Sequence, residues 1–64
     1  MIRINGKEID KDELHLSQYI EESGFDRRRI AVELNGSILP RDEYDSTLLC
    51  AGDKVEIVSF VGGG

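Results

Sequence analysis

The sequence predicts an α+β fold, a mixed sheet of four to five strands with one helix packed on one face. Three features point to it. Apolar residues alternate with period two in "MIRI", in "IAVEL" and in "KVEIVSFV". Between Leu14 and Ser23 the spacing turns helical. Asn-Gly, the pair best suited to the two positive-φ positions of a tight hairpin, follows an alternating segment twice.

Taken in order, Ile2 and Ile4 share one face of a first strand, and Asn5-Gly6 returns the chain so that Ile9 pairs back as a short second strand. Asp10 to Glu13 reads as a charged connection. From Leu14 the helical pattern places Leu16, Tyr19, Ile20 and Ser23 on one side, with Gln18, Glu21 and Glu22 opposite. His15 or Ser17 stands near its N-cap, and Gly24 suits the left-handed residue that ends a helix. Ile30, Val32 and Leu34 then share a strand face, with Ala31 and Glu33 on the other. Asn35-Gly36 turns into a short "SIL" strand that Pro40 terminates. "RDEYDSTLLCAGD" is rich in turns, with one 3₁₀ turn and with Leu48 or Leu49 pinned to the core. "KVEIVSFV" is the last and strongest strand.

A helix between two hairpins in so short a chain crosses one face of a sheet whose first and last strands become parallel neighbours at its centre. This is the β-grasp arrangement. Its expected core is Ile2, Ile4, Leu16, Ile20, Val32, Val55 and Ile57. Residues 1–61 form a single domain, and 62–64 a flexible glycine tail.

Composition narrows the function classes. A domain of 64 residues buries only about 60% of its unfolded surface, which leaves no room for a deep cleft and argues against a self-contained enzyme. With 13 acidic against 8 basic residues and a net charge of -5, neither nucleic acid nor an anionic membrane is an expected partner. The single Cys50 precludes an internal disulfide, and no stretch is apolar enough for a signal or a span, so a cytoplasmic protein is expected. One His and one Cys without ligand spacing give no metal site. His15 reads as a surface or capping residue, and Cys50, after Leu48 and Leu49, as a small buried hydrophobe. The only basic cluster, Arg27-Arg28-Arg29, reads as a solvated loop past the helix.

One apolar set is left over. If Val55 and Ile57 face the core, Val58 and Phe60 face the other way, beside Ala31 of a neighbouring strand. An exposed cluster next to a glycine tail suggests a docking surface. Residues 61–64 can reach about 13 Å. Gly62, Gly63 and Gly64 have no side chains to obstruct a narrow channel, and the terminal carboxylate becomes electrophilic once adenylated with ATP.

The strand-NG-strand-helix-strand order and "AGDKVEIVSFVGGG" resemble the ThiS family, the ubiquitin-like sulfur carriers of thiamine biosynthesis. The specific part of the likeness is Gly52, Asp53, Val55, Glu56 and Ile57 running into Gly63 and Gly64. The resemblance implies a carrier rather than an enzyme, with no bound cofactor and with ATP consumed by a ThiF-like adenylating enzyme. It implies sulfur loading of Gly64 as a thiocarboxylate from a donor such as a cysteine desulfurase or rhodanese, and delivery to thiazole synthase. Gly62 and Gly63 would then provide access, and Val58, Phe60 and Ala31 docking. The alternatives are a carrier like the small subunit of molybdopterin synthase and a ubiquitin-like modifier conjugated through Gly64. The former family usually approaches its diglycine through a proline-containing segment, which "IVSFVGGG" lacks. A plain interaction domain is the remaining class.

Overall fold

The computed structural model describes residues 1–60. Strands β1 (Ile2–Ile4) and β2 (Lys7–Ile9) form the first hairpin, and β3 (Glu13–His15) leads directly into helix α1 (Leu16–Glu22). A 3₁₀ turn, Arg27–Arg29, precedes β4 (Ile30–Leu34) and β5 (Ser37–Leu39). A second 3₁₀ segment, Arg41–Ser46, then leads to β6 (Leu48–Cys50) and β7 (Lys54–Ser59). The main sheet has the order β2-β1-β7-β4-β5, with β1 and β7 parallel at its centre and the other pairs antiparallel. The β-grasp expectation holds, with five strands in this sheet.

All seven expected core residues are buried in one cluster with Leu14, Ile30, Tyr44 and Leu49. Helix α1 contributes Leu16 and Ile20 to it. The helix ends as expected at Gly24, whose φ is +81°. Gly24 N–H donates to the Glu21 carbonyl and Phe25 N–H to the Ile20 carbonyl, the paired bonds of a Schellman motif, while Phe25 packs onto the core. At the other end His15 holds the N-cap position, but neither its side chain nor any other caps the helix.

Three expectations need correction. Helix α1 begins at Leu16, because Glu13–His15 is extended and pairs antiparallel with Leu48–Cys50 in a separate two-stranded sheet. The acidic connection therefore ends at Asp12, and Leu14 enters the core from a strand. The same pairing corrects Cys50. Alternation along β6 turns Leu49 inward and leaves Leu48 and Cys50 exposed, so the thiol is not a core group. The second 3₁₀ segment is longer than one turn, and Tyr44 from it is buried to 2% exposure.

The two Asn-Gly turns do more than reverse the chain. Asn5 and Asn35 have φ of 51° and 52°, as the turns require. Where β1 departs from β7, the Asn5 side chain replaces the missing backbone rungs. Ile57 N–H donates to Asn5 Oδ1 at 2.7 Å, and Asn5 Nδ2 donates to the Ile57 carbonyl at 3.2 Å. On the other flank, Lys54 N–H donates to Asn35 Oδ1 at 2.9 Å, and Asn35 Nδ2 donates to Asp53 Oδ1 at 3.0 Å. Both asparagines thus clamp β7, the strand that leads to the glycine tail. Asn5→Gly keeps the turn conformation but removes both side-chain bonds, and should lower unfolding free energy by about 1–3 kcal/mol in chemical denaturation. An unchanged midpoint would show that water replaces the amide without loss.

Candidate docking face and tail root

Strand β7 alternates cleanly. Val55 and Ile57 are buried, whereas Lys54, Glu56 and Val58 lie on the opposite face of the sheet. No element of the described residues covers this face, because the helix lies on the other side. Phe60 continues the pattern beyond the strand: its N–H donates to the Arg29 carbonyl at 2.7 Å, which holds it against the start of β4. Val58 and Phe60 are 54% and 55% exposed. Ala31 stands directly opposite Val58 in the β4–β7 register and is half-buried. The structure therefore brings together the three residues expected to dock a partner. Val61 and the Gly62, Gly63 and Gly64 tail lie outside the described residues.

Two features of the face were not read from the sequence. Glu33 and Glu56 are directly opposite each other in the register, a like-charge pair that slightly opposes sheet formation. Next to Glu33, Ile38 of β5 is 68% exposed. The alternation in "SIL" carries this signal, since Leu39 faces Val32 and the core.

The motif "AGDKVEI" acquires a structural meaning. Gly52 adopts φ +94° in a turn closed by Asp53 N–H donating to the Cys50 carbonyl at 3.0 Å. Asp53 Oδ2 accepts from Cys50 N–H at 2.8 Å, so glycine provides the backbone conformation and aspartate ties off the turn. The turn then releases β7 in register with β1: Arg3 N–H donates to the Asp53 carbonyl at 3.0 Å.

Arg28 and Arg29 are exposed past the helix, as expected, but the cluster forms a 3₁₀ turn and Arg27 is tied down. Arg27 makes two bonds to the Asp45 carboxylate, at 2.8 and 3.2 Å, and its guanidinium lies 5.7 Å from the Tyr44 ring centroid. It ties one 3₁₀ segment to the other. Asp26 caps the Arg27–Arg29 turn by accepting from Arg28 N–H at 3.0 Å. The Arg28 backbone and side-chain donors hold the Asp26 carboxyl below its usual range, and the Arg27 guanidinium does the same for Asp45. Folded-state values below the unfolded ones mean that this stabilisation is complete above about pH 4 and is lost as pH falls through the depressed values. Both pairs are on the surface, so the effect is small. In urea titrations, a D26N/D45N double variant should lose less stability on acidification than the unaltered chain. An identical acid profile would contradict this.

Among the described residues, no group of three or more His, Cys, Asp or Glu could hold a metal ion, and no helix is long and apolar enough to cross a membrane. A recess lined by Ser17, Ile20, Glu21, Phe25 and Arg27 measures about 120 Å³, below the roughly 300 Å³ of ordinary small-molecule sites.

Comparison with known proteins agrees with this architecture. The ThiS family model matches residues 2–64. The sulfur carrier protein ThiS of Bacillus subtilis (strain 168) is 33% identical over 66 aligned positions, covering 100% of both chains. A thiazole synthase of Paramagnetospirillum magneticum is 40% identical over 62 residues, which is 95% of this chain but only 19% of that enzyme's length. The crystal structure of the thiamine biosynthesis protein ThiS from Geobacter metallireducens superposes with a TM-score of 0.75 at 31% identity, covering 98% of this chain and 97% of that one. With the family model spanning almost all of its length, and a sheet, helix and final strand to match, the chain belongs to the ThiS family.

Proposed function

We propose that this protein is a sulfur carrier of thiamine biosynthesis and that Gly64 is the group that carries the sulfur. A ThiF-like enzyme transfers AMP from ATP to the Gly64 carboxylate and releases pyrophosphate. The persulfide sulfur of a cysteine desulfurase or rhodanese then attacks the acyl carbon and expels AMP, which takes one carboxylate oxygen with it. A thiol reduces the S–S bond of the acyl disulfide so formed, leaving the thiocarboxylate and a disulfide. The resulting thiocarboxylate is consumed by thiazole synthase. In this scheme the chain is a co-substrate, and ATP is used by the partner rather than bound here.

The observation that carries the reading is the course of β7. The strand is clamped by Asn5 and Asn35, pairs with β4 as far as Ser59, and with Phe60, bonded to Arg29, presents Val58 and Phe60 on an uncovered face four residues before Gly64. Val58, Phe60 and Ala31 dock the partner while Gly62 and Gly63 let the terminus enter its channel. The end-to-end likeness to the Bacillus subtilis carrier supports the role of the terminus. The presence of a similar stretch within a thiazole synthase supports that enzyme as a partner.

The test is intact mass spectrometry after incubation with Mg-ATP, a ThiF-like enzyme, a sulfur donor and a thiol reductant. The expected product is heavier by the difference between one sulfur and one oxygen. Attachment of a whole protein through Gly64, or no change in mass, would refute the carrier reading.

A further inference from the structure

We infer that Arg28 and Arg29 form a contact for acidic side chains of the adenylating partner, placed at the root of the tail; the inference rests on the carrier reading above. The chain is acidic overall, yet three of its 8 basic residues are consecutive at this point. Arg27 is occupied by Asp45 and Tyr44. Arg28 and Arg29 are not similarly occupied. Their side chains are 82% and 66% exposed, and both lean on the single Asp26 carboxylate, at 3.4 and 3.7 Å. Two guanidiniums against one carboxylate leave a net positive charge on the surface.

Position gives that charge a use. The Arg29 carbonyl accepts the Phe60 N–H at 2.7 Å, so the cluster adjoins the last described residue before the tail. Through that bond Arg29 stands next to Phe60 of the apolar patch. A partner that receives the tail must cover this surface at the mouth of its channel. A guanidinium fork is matched by carboxylates, which it binds through two parallel N–H donors.

Nucleotide phosphate is the other anion to weigh. Four residues of chain between Phe60 and the terminus can span at most about 13 Å. That is farther than an arginine side chain anchored beside Phe60 extends. With the tail drawn out into a partner's channel, the AMP phosphate bonded to Gly64 stands beyond that reach, and partner carboxylates near the channel mouth are the fitting occupants. Such a contact, at the rim of an interface, acts mainly on encounter and affinity and leaves the chemical step unchanged.

The experiment measures pyrophosphate release by a ThiF-like enzyme with the full-length chain as variable substrate. For R28Q/R29Q, the carrier KM should rise about tenfold at low ionic strength, with kcat and the KM for ATP unchanged. The difference should shrink near 1 M salt, where the Debye length is about 3 Å. Arg27→Gln provides the contrast: it should lower the thermal midpoint through loss of the Asp45 and Tyr44 contacts, with the carrier KM unaltered. An unchanged KM for R28Q/R29Q, or a salt-independent loss, overturns the inference. A raised KM for ATP instead would mean that the arginines read the nucleotide, which overturns it as well. Failure of the unaltered chain to be adenylated would remove the carrier reading itself, and this inference with it.

Discussion

Deletion of Gly64 should abolish sulfur loading while leaving thermal stability unchanged. The variant still ends in a glycine carboxylate, so its intrinsic reactivity is the same. What changes is position, by about 3.3 Å of chain. Reacting groups tolerate little displacement: an error of 1 Å costs roughly a hundredfold in rate, and the retracted carboxylate misses the α-phosphate of ATP by more than that. Stability has no reason to follow, because the core cluster is complete by Ile57. Gly63→Val leaves the length correct and should also block loading, since a β-branched side chain restricts the backbone and widens the segment that must enter the channel. Single-turnover thiocarboxylate formation, followed by mass and paired with a melting curve, checks both variants. Loading of the deletion variant at a rate near that of the full chain would show that the terminus is not read by position.

The parts of this fold legible in the sequence are those in which a long segment repeats one period. The alternation from Lys54 to Phe60 divides Val55 and Ile57 from Val58 and Phe60, and the structure buries the first pair and exposes the second. The Asn-Gly pairs locate both hairpins because few other dipeptides accept positive φ at two successive positions. The small sheet was not legible for the same physical reason in reverse. Glu13–His15 and Leu48–Cys50 have three residues each, too few to establish a period, and their pairing spans most of the chain. "LLC" then looks like a continuous buried run, whereas pairing sends only Leu49 inward and leaves Cys50 exposed. Nor could spacing show that Asn5 bonds to Ile57 or that Arg27 finds Asp45, 18 positions away, because such contacts exist only once the sheet has formed. At the candidate site, the apolar patch could be read from alternation. The neighbouring arginines could be seen as a cluster, but their place at the tail root depends on the bond from Phe60 to Arg29.

Ile57→Ala and Phe60→Ala should separate the two faces of β7. Ile57 is 6% exposed, stands opposite Val32, and lies in the strand center clamped by Asn5. Truncating it removes buried methyl groups and leaves a cavity that a sheet center cannot easily close, a loss of about 2–5 kcal/mol. For a domain this small, total stability is on the order of 5 kcal/mol, so much of the population could unfold at room temperature. Phe60, three positions later, is 55% exposed and lies outside the core cluster, and its backbone bond to Arg29 is one that alanine retains. Its removal should shift the unfolding midpoint by less than about 0.5 kcal/mol. Its cost should appear in partner affinity, by more than about 1 kcal/mol if the ring anchors the interface. With a saturating ThiF-like enzyme, Phe60→Ala should therefore load sulfur at a near-normal rate, while Ile57→Ala fails in proportion to its unfolded fraction and recovers when cooling or a stabilising osmolyte restores the fold. The decisive comparison plots loading rate against folded fraction for both variants. If Phe60→Ala falls on the same line as Ile57→Ala, the ring supports the fold, and the uncovered face is not where the partner docks.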